Sequence, residues 1–170
     1  MKNIFGYDPE EITAIPLPEL DPPLIMTFTK FEKGDYPDAN HNLYIVWRGK
    51  QALYIGISQA NIWDRWFIRD GCHIASNGAG IWCAAYSSPI GRAIARNRPA
   101  SMRWKIELRE YDNPRRVEVD LIRELHPLFN TTYRPALSDR ERGLYKRLIA
   151  EEITYRIDNP AEDLIRYMRA

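Results

Sequence analysis

Cysteine and histidine are scarce in this chain. Cys72, Cys83, His41, His73 and His126 are the full set in 170 residues. No CxxC pair exists and four-ligand spacing is missing, so a structural zinc is not expected. A chain of this length with an ordinary core needs no covalent staple, so both thiols read as free and the compartment as reducing. No run of about 18 apolar residues occurs, and no basic stretch followed by an apolar one opens the sequence. Neither a membrane span nor a signal peptide is expected, and the expected location is cytoplasmic. Net charge is only +1, which gives no bulk argument for a polyanionic partner.

What is present is a core-forming composition, 45% apolar against 28% charged, enough for one domain with short additions at its ends. The small net charge conceals an uneven distribution. Residues 1–41 carry three basic and eight acidic side chains, residues 42–137 fourteen basic and eight acidic, and residues 138–170 seven of each. Arg92, Arg96, Arg98, Arg103, Lys105, Arg109, Arg115 and Arg116 crowd the basic middle. Such a field attracts polyanions, although charge alone fits a solvated surface equally well.

Prolines at 9, 16, 18, 22, 23 and 37 argue against long helices in residues 1–41, where Leu24 to Phe31 either adds a strand or packs on the domain. Residues 42–57 read as a β-hairpin turning at Arg48-Gly49-Lys50. With Trp47 facing Gln51, Tyr44 lies directly opposite Tyr54 on one sheet face; a bulge at Gly49 would slip this pairing by one residue. A helix follows, with Asn61 as N-cap and Gly71 as a plausible end. Gly78 and Gly80 suggest a loop within residues 74–87. Ser88-Pro89 opens a second helix ending at Asn97 to Pro99, and Met102 to Arg109 reads as a third strand. Asn113-Pro114 opens a third helix, stopped by Pro127. Ser138 and Glu141 form a capping box for a helix to about Thr154, and a last short helix follows Asn159-Pro160.

In the third helix Leu121, Ile122 and Leu125 stand three, four and seven residues after Glu118, so that carboxylate projects from the apolar face. An inward acid is costly unless it is ion-paired, metal-bound or at an open edge. Glu118, the two tyrosines and Arg65 are the candidates for chemistry. Singly, each also reads as packing, a solvated helix face or a structural ion pair. Together they match what phosphodiester hydrolysis requires: an acid to hold a cation, a base for water, and a rigid cationic donor at the phosphate. Asp120 points elsewhere on the helix, so one metal is expected rather than two.

The pattern Asn42-Leu-Tyr44, ten residues ahead of Tyr54-Ile-Gly56, resembles the paired motifs of the GIY-YIG nuclease family. Gly56 followed by Ser58 and Asn61-Ile-Trp-Asp-Arg65 resembles its helix with the catalytic arginine. Glu118-x-x-Leu121-Ile122 and Pro127-x-x-Asn130 resemble its metal-binding and closing blocks. The resemblance covers residues 42 to about 132. It departs at Asn42, where the family often has Gly, in one extra residue between Tyr54 and Arg65, and at Arg69, where many members have His. His73, eight residues after Arg65, is either a substitute or a polar loop residue.

The resemblance implies an α+β fold with a three-stranded antiparallel sheet flanked by helices. Its divisions are an N-terminal extension over 1–41, a nuclease domain over 42–132 and a C-terminal helical extension over 133–170. It implies an endonuclease acting on DNA, restriction-like, mobile-element-linked or repair-linked, and either monomeric or homodimeric. Tyr44 would be the general base or would align the water, beside Tyr54. Arg65 would stabilise transition-state charge, Glu118 would hold one Mg²⁺ or Mn²⁺, and Asn130 would brace the site. Gly56 would let backbone and substrate approach closely. Separately from the resemblance, the basic run on and after the second helix makes Arg92, Arg96 and Arg98, with Arg69, the expected contacts to nucleic acid. A free phenol titrates near 10, and Arg65 with a metal is expected to lower that value at Tyr44. A nucleic-acid-binding module without catalysis and a protein-interaction domain are the competing readings.

Overall fold

The structure is a computed structural model that describes residues 22–36, 40–68, 72–76, 82–83 and 88–158. Eleven regular elements run along the described chain: β1 Leu24–Thr27, α1 Phe28–Glu32, β2 Leu43–Arg48, β3 Gln51–Ile57, α2 Ile62–Phe67, β4 Ala75–Ser76, β5 Trp82–Cys83, α3 Pro89–Arg96, β6 Lys105–Arg109, α4 Pro114–Leu125 and α5 Asp139–Asp158. The fold is α+β. Its main sheet has four antiparallel strands in the order β1-β6-β2-β3, which corrects the expected three. The fourth is β1: the apolar Leu24 to Thr27 stretch pairs with β6, from Leu24 opposite Leu108 to Thr27 opposite Lys105. Phe28 and Phe31 then bury fully in the core, so part of the segment expected as an extension belongs to the sheet. At the other end Leu148 of α5 joins the same core.

Local sequence explains the helix starts. Asn61 accepts a hydrogen bond from Trp63 N at 2.8 Å, Ser88 from Gly91 N at 3.3 Å and Asn113 from Arg116 N at 3.3 Å, each satisfying a donor that a helix leaves open. Ser138 and Glu141 close the expected capping box. Helix α2 stops at Phe67, earlier than Gly71, and β6 is shorter than expected because Ala100–Arg103 winds into a 3₁₀ turn. Ala75–Ser76 and Trp82–Cys83 form a two-stranded ribbon within the stretch read as a loop. Gly71, Gly78, Gly80 and the expected last helix lie outside the described residues. No helix among the described residues is long and apolar enough to cross a membrane.

The β2–β3 register differs from expectation in an instructive way. Arg48 faces Gln51, so the connection is the two residues Gly49 and Lys50, with Gly49 at φ +59°. That turn is one residue shorter than expected and by itself would send Tyr54 to the opposite face from Tyr44. A bulge reverses the slip. Trp47 pairs with Ala52 but Val46 pairs with Tyr54, leaving Leu53 as the extra residue. Leu53 and Tyr54 consequently both join the core that holds Tyr44 and Val46, while Ala52 and Ile55 join the other. Tyr44 stands opposite Gly56 rather than Tyr54, so the two tyrosines are diagonal neighbours on one face.

The sheet separates two clusters. The larger holds Phe28, Phe31, Tyr44, Val46, Trp66, Ile74, Ile90 and Ile94; the smaller packs Val117 and Ile122 of α4 against Leu43, Ile45 and Ile55. On β6, Glu107 is buried but neutralised: Trp47 Nε1 donates to it at 2.8 Å, and Arg109 pairs with it.

Candidate active site

Tyr44 is 1% exposed, and its ring lies across Gly56. A Cβ placed on Gly56 would stand 2.5 Å from Tyr44 Oη and 2.6 Å from its Cζ, so no larger residue fits there unless the ring moves. Glycine is thus required for space beneath a phenol. Tyr54 lies beside it, ring centres 6.2 Å apart and tilted by 32°. Trp66 of α2 completes the cradle, edge-on to Tyr44 at 5.7 Å.

Two groups meet at the Tyr44 hydroxyl. His73 Nε2 is 2.6 Å away. Arg65 hydrogen-bonds the same oxygen, and the charges of Arg65 and Glu118 are felt at both phenols. His73, 2% exposed, continues the chain through Nδ1 to Ser88 Oγ at 2.9 Å, and its backbone carbonyl accepts from Ser88 N at 3.1 Å. Trp66 packs against the imidazole with ring centres 4.5 Å apart.

Burial raises the Tyr44 phenol well above its ordinary value; Tyr54 and Glu118 add to the rise, while Arg65 opposes it. The expected lowering by Arg65 is therefore present but outweighed by desolvation, which corrects the sequence expectation. Tyr54 is raised for the same leading reason. Burial, helped by Arg65, pushes His73 down to about 3. These directions leave a protonated phenol beside a neutral imidazole, whose single N–H makes the Tyr44–Nε2 and Nδ1–Ser88 hydrogen bonds run in one sense along the chain. Ser88 Oγ also accepts from Gly91 N, so one side chain caps α3 and holds the imidazole in place. His73 is thus part of the constellation rather than a polar loop residue.

Glu118 is half-buried on α4 and lines one cavity with Tyr54 and Asn130. Burial raises its carboxyl, and Arg115 pulls it partly back. In contrast to Glu107, it has no ion pair or hydrogen bond among the described residues. No group of three or more His, Cys, Asp and Glu side chains gathers there either. A lone desolvated carboxylate at an open cavity suits a hard cation that keeps most of its water and takes its remaining oxygens from a substrate, the habit of Mg²⁺.

Asn130 acts through the backbone. Its Oδ1 accepts from Ile55 N and its Nδ2 donates to Ile55 O, both at 2.9 Å. Phe129 N to Leu53 O at 2.8 Å and Leu128 N to Ala52 O at 3.2 Å extend this clamp along the outer edge of β3. Asn42 plays a similar part at the start of β2, pairing both amide atoms with the backbone of Tyr111.

The expected nucleic-acid contacts are less uniform. Arg92, Arg96 and Arg98 are half-buried, and Arg98 is ion-paired with Glu32 of α1. Arg103, Arg115 and Arg116 are exposed. Arg69 lies outside the described residues. Reasoning from sequence missed Ser88 as the partner of His73 and Trp66 as its packing surface. The N-cap signal pointed to Ser88, but nothing local could place it against a side chain fifteen positions earlier. No protein-family model, no curated protein and no solved structure matches the chain.

Proposed function

We propose that the protein is a GIY-YIG-type endonuclease that hydrolyses DNA phosphodiester bonds with the aid of one divalent cation. The observation that carries this reading is the meeting of Tyr44, Arg65 and His73 at one oxygen, with Glu118 unpaired beside Tyr54 in the adjoining cavity. A structural core has no use for a neutral imidazole, an arginine and an uncompensated acid around two phenols. Phosphodiester hydrolysis uses each of them.

Arg65 presents a planar donor to the phosphate oxygens, where negative charge grows as water attacks phosphorus. Tyr44 Oη, held by its hydrogen bond to His73, is the oxygen that would align the attacking water. To act as the base it would have to be the phenolate, which burial opposes and which Arg65 and a bound cation would favour. His73, neutral and hydrogen-bonded to Ser88, holds the phenol in place. Glu118 would hold Mg²⁺ or Mn²⁺, which when bound supplies positive charge at the phosphate and cancels the carboxylate that now raises both phenols. Asn130 fixes β3, and with it Tyr54 and Gly56.

The full burial of Tyr44 gives some support to the second reading, a nucleic-acid-binding module of the same fold without catalysis. Incubation with supercoiled plasmid, with and without Mg²⁺, separates the two. The nuclease reading expects Mg²⁺-dependent cutting that Tyr44→Phe lowers by two orders of magnitude or more while DNA binding is retained. Plasmid left intact by wild-type protein that binds it would establish the module instead.

A further inference from the structure

Beyond Glu118 the cavity continues past the candidate catalytic groups. Its volume is about 340 Å³, within the range of small-ligand sites. Ile90, Ile122 and Phe129 supply apolar wall, Thr131 and Thr132 supply hydroxyls, and Tyr133 stands at its rim. Among the described residues no Lys, Arg or His lines it. Away from the cation that Glu118 would hold, the lining offers a phosphate no counter-charge, and it suits an uncharged occupant with an apolar face and polar edges.

Tyr133 is 49% exposed yet tightly placed. Its backbone is left-handed, φ +64°, a conformation that costs a non-glycine residue free energy and persists when neighbours enforce it. The enforcement is visible on both sides. Asn130 is locked to Ile55 three residues earlier. Arg134, its side chain only 4% exposed, donates to the carbonyls of Pro127 at 2.8 Å, Leu128 at 3.1 Å and Pro135 at 3.0 Å, and lies 3.6 Å from Glu141. A buried arginine spent on three loop carbonyls makes the loop rigid, and the loop holds an aromatic ring out at the mouth of a cavity.

We propose that this cavity is a nucleobase subsite: it receives the base next to the cleaved phosphate, which stacks on the Tyr133 ring while the phosphate lies toward Arg65. A base seated there has left its duplex stack, so the preferred DNA carries an unpaired nucleotide beside the cut. This inference rests on the nuclease reading and adds the form of its substrate.

The test measures binding in EDTA, so it needs no cleavage, using fluorescently labelled duplexes that are either blunt or splayed by a few unpaired nucleotides. Tyr133→Asn removes the ring and tolerates the left-handed backbone; Tyr133→Phe keeps the ring. The splayed duplex is expected to bind Tyr133→Asn about 5- to 150-fold more weakly, the loss corresponding to a stack of about 1–3 kcal/mol. Tyr133→Phe should match wild type, and blunt duplex should not distinguish the three. An abasic site in place of the unpaired base should weaken wild-type binding by the same factor, a measurement that needs no variant to fold. Splayed DNA that binds wild type and Tyr133→Asn equally, or an abasic site without effect, overturns the subsite while leaving the nuclease reading intact. Absence of any DNA binding by wild-type protein overturns both.

Discussion

Replacing Gly56 by alanine is the most direct probe of the site, because the collision it creates has a known size. The new Cβ would lie 2.5 Å from Tyr44 Oη, where ordinary contact begins at 3.4 Å, so the phenol must retreat by about 1 Å. Backbone relief is limited, since Gly56 sits in a strand paired with Tyr44 and the neighbouring Ile55 is clamped by Asn130. A retreat of that size breaks the 2.6 Å hydrogen bond to His73 and displaces Oη from Arg65. Overpacking of a tight interior costs about 1–3 kcal/mol, which lowers the melting temperature by roughly 2–12 °C for a chain of this size. Misplacing a catalytic group by about 1 Å costs on the order of 100-fold in rate. The assay is the initial rate of Mg²⁺-dependent plasmid nicking beside a thermal melt, with the His73 imidazole nitrogens followed by NMR. The expected result is a folded protein, a rate down by about two orders of magnitude and a shifted Nε2 resonance. A variant that nicks within about twofold of wild type, with Nε2 unmoved, would refute the assignment of Gly56 as the space beneath a working phenol.

Three further outcomes are expected. His73 should stay neutral down to about pH 3, so an NMR titration should show no step near 6.5. Because the unfolded chain takes up that proton first, stability should fall as pH drops from 6.5 toward 3, by up to the linkage of one proton, and His73→Gln should flatten that fall. Glu118→Gln should abolish Mg²⁺-dependent cleavage and keep the fold. The folded carboxyl is raised, so the stability this one group contributes is present below the unfolded value of 4.5 and is lost as pH rises through the folded one. In EDTA at about pH 8 the variant should therefore melt at or above wild type, and a lower melting point would mark Glu118 as a structural ion-pair partner. Neutralising Arg92 and Arg96 should lower the salt dependence of DNA binding by about one unit for each phosphate they hold, whereas Arg98→Gln, breaking the pair with Glu32, should register mainly in stability. An unchanged salt slope would move the DNA to Arg103, Arg115 and Arg116.

Much of this arrangement is legible in sequence, and the limit of legibility has a physical origin. Capping residues, the hairpin and the inward Glu118 depend on interactions a few positions apart, and those are the features that local spacing encodes. Tyr44 and Tyr54 share a face as expected, but through two compensating one-residue changes, a shorter turn and a bulge at Leu53. Periodicity cannot locate a bulge, since it arises from how β3 meets β2 and both cores at once. Strand β1 was obscured by the prolines around it, and only its pairing with β6, some eighty residues away, makes it a strand. The hydrogen-bonded chain Tyr44–His73–Ser88 joins three separate elements and leaves no mark in spacing.

The energetic character of the site sets it apart from the rest of the core. Glu107 shows how this protein buries an acid for structure: an arginine and an indole satisfy it. Glu118 receives no such treatment, His73 is held neutral far below its ordinary value, and the Tyr44 phenol is buried beside an arginine. Desolvation of the Glu118 carboxylate opposes folding with little relief from its neighbours, whereas the Tyr44 hydroxyl and both His73 nitrogens are hydrogen-bonded and bear their cost only in the charged form. Phe28, Phe31, Val46, Ile90 and Ile94, fully buried around them, supply the stability that tolerates it. Groups that local rules would not place together, held in place by a well-packed core, are where function is expected to lie. Arg65 and His73 meet at one phenol oxygen, and Glu118 lines the adjoining cavity with Tyr54. A cation on Glu118 and a phosphate on Arg65 would relieve both strains at once, so DNA with Mg²⁺ should raise the melting temperature of wild-type protein more than the two added singly, and Glu118→Gln should remove that synergy.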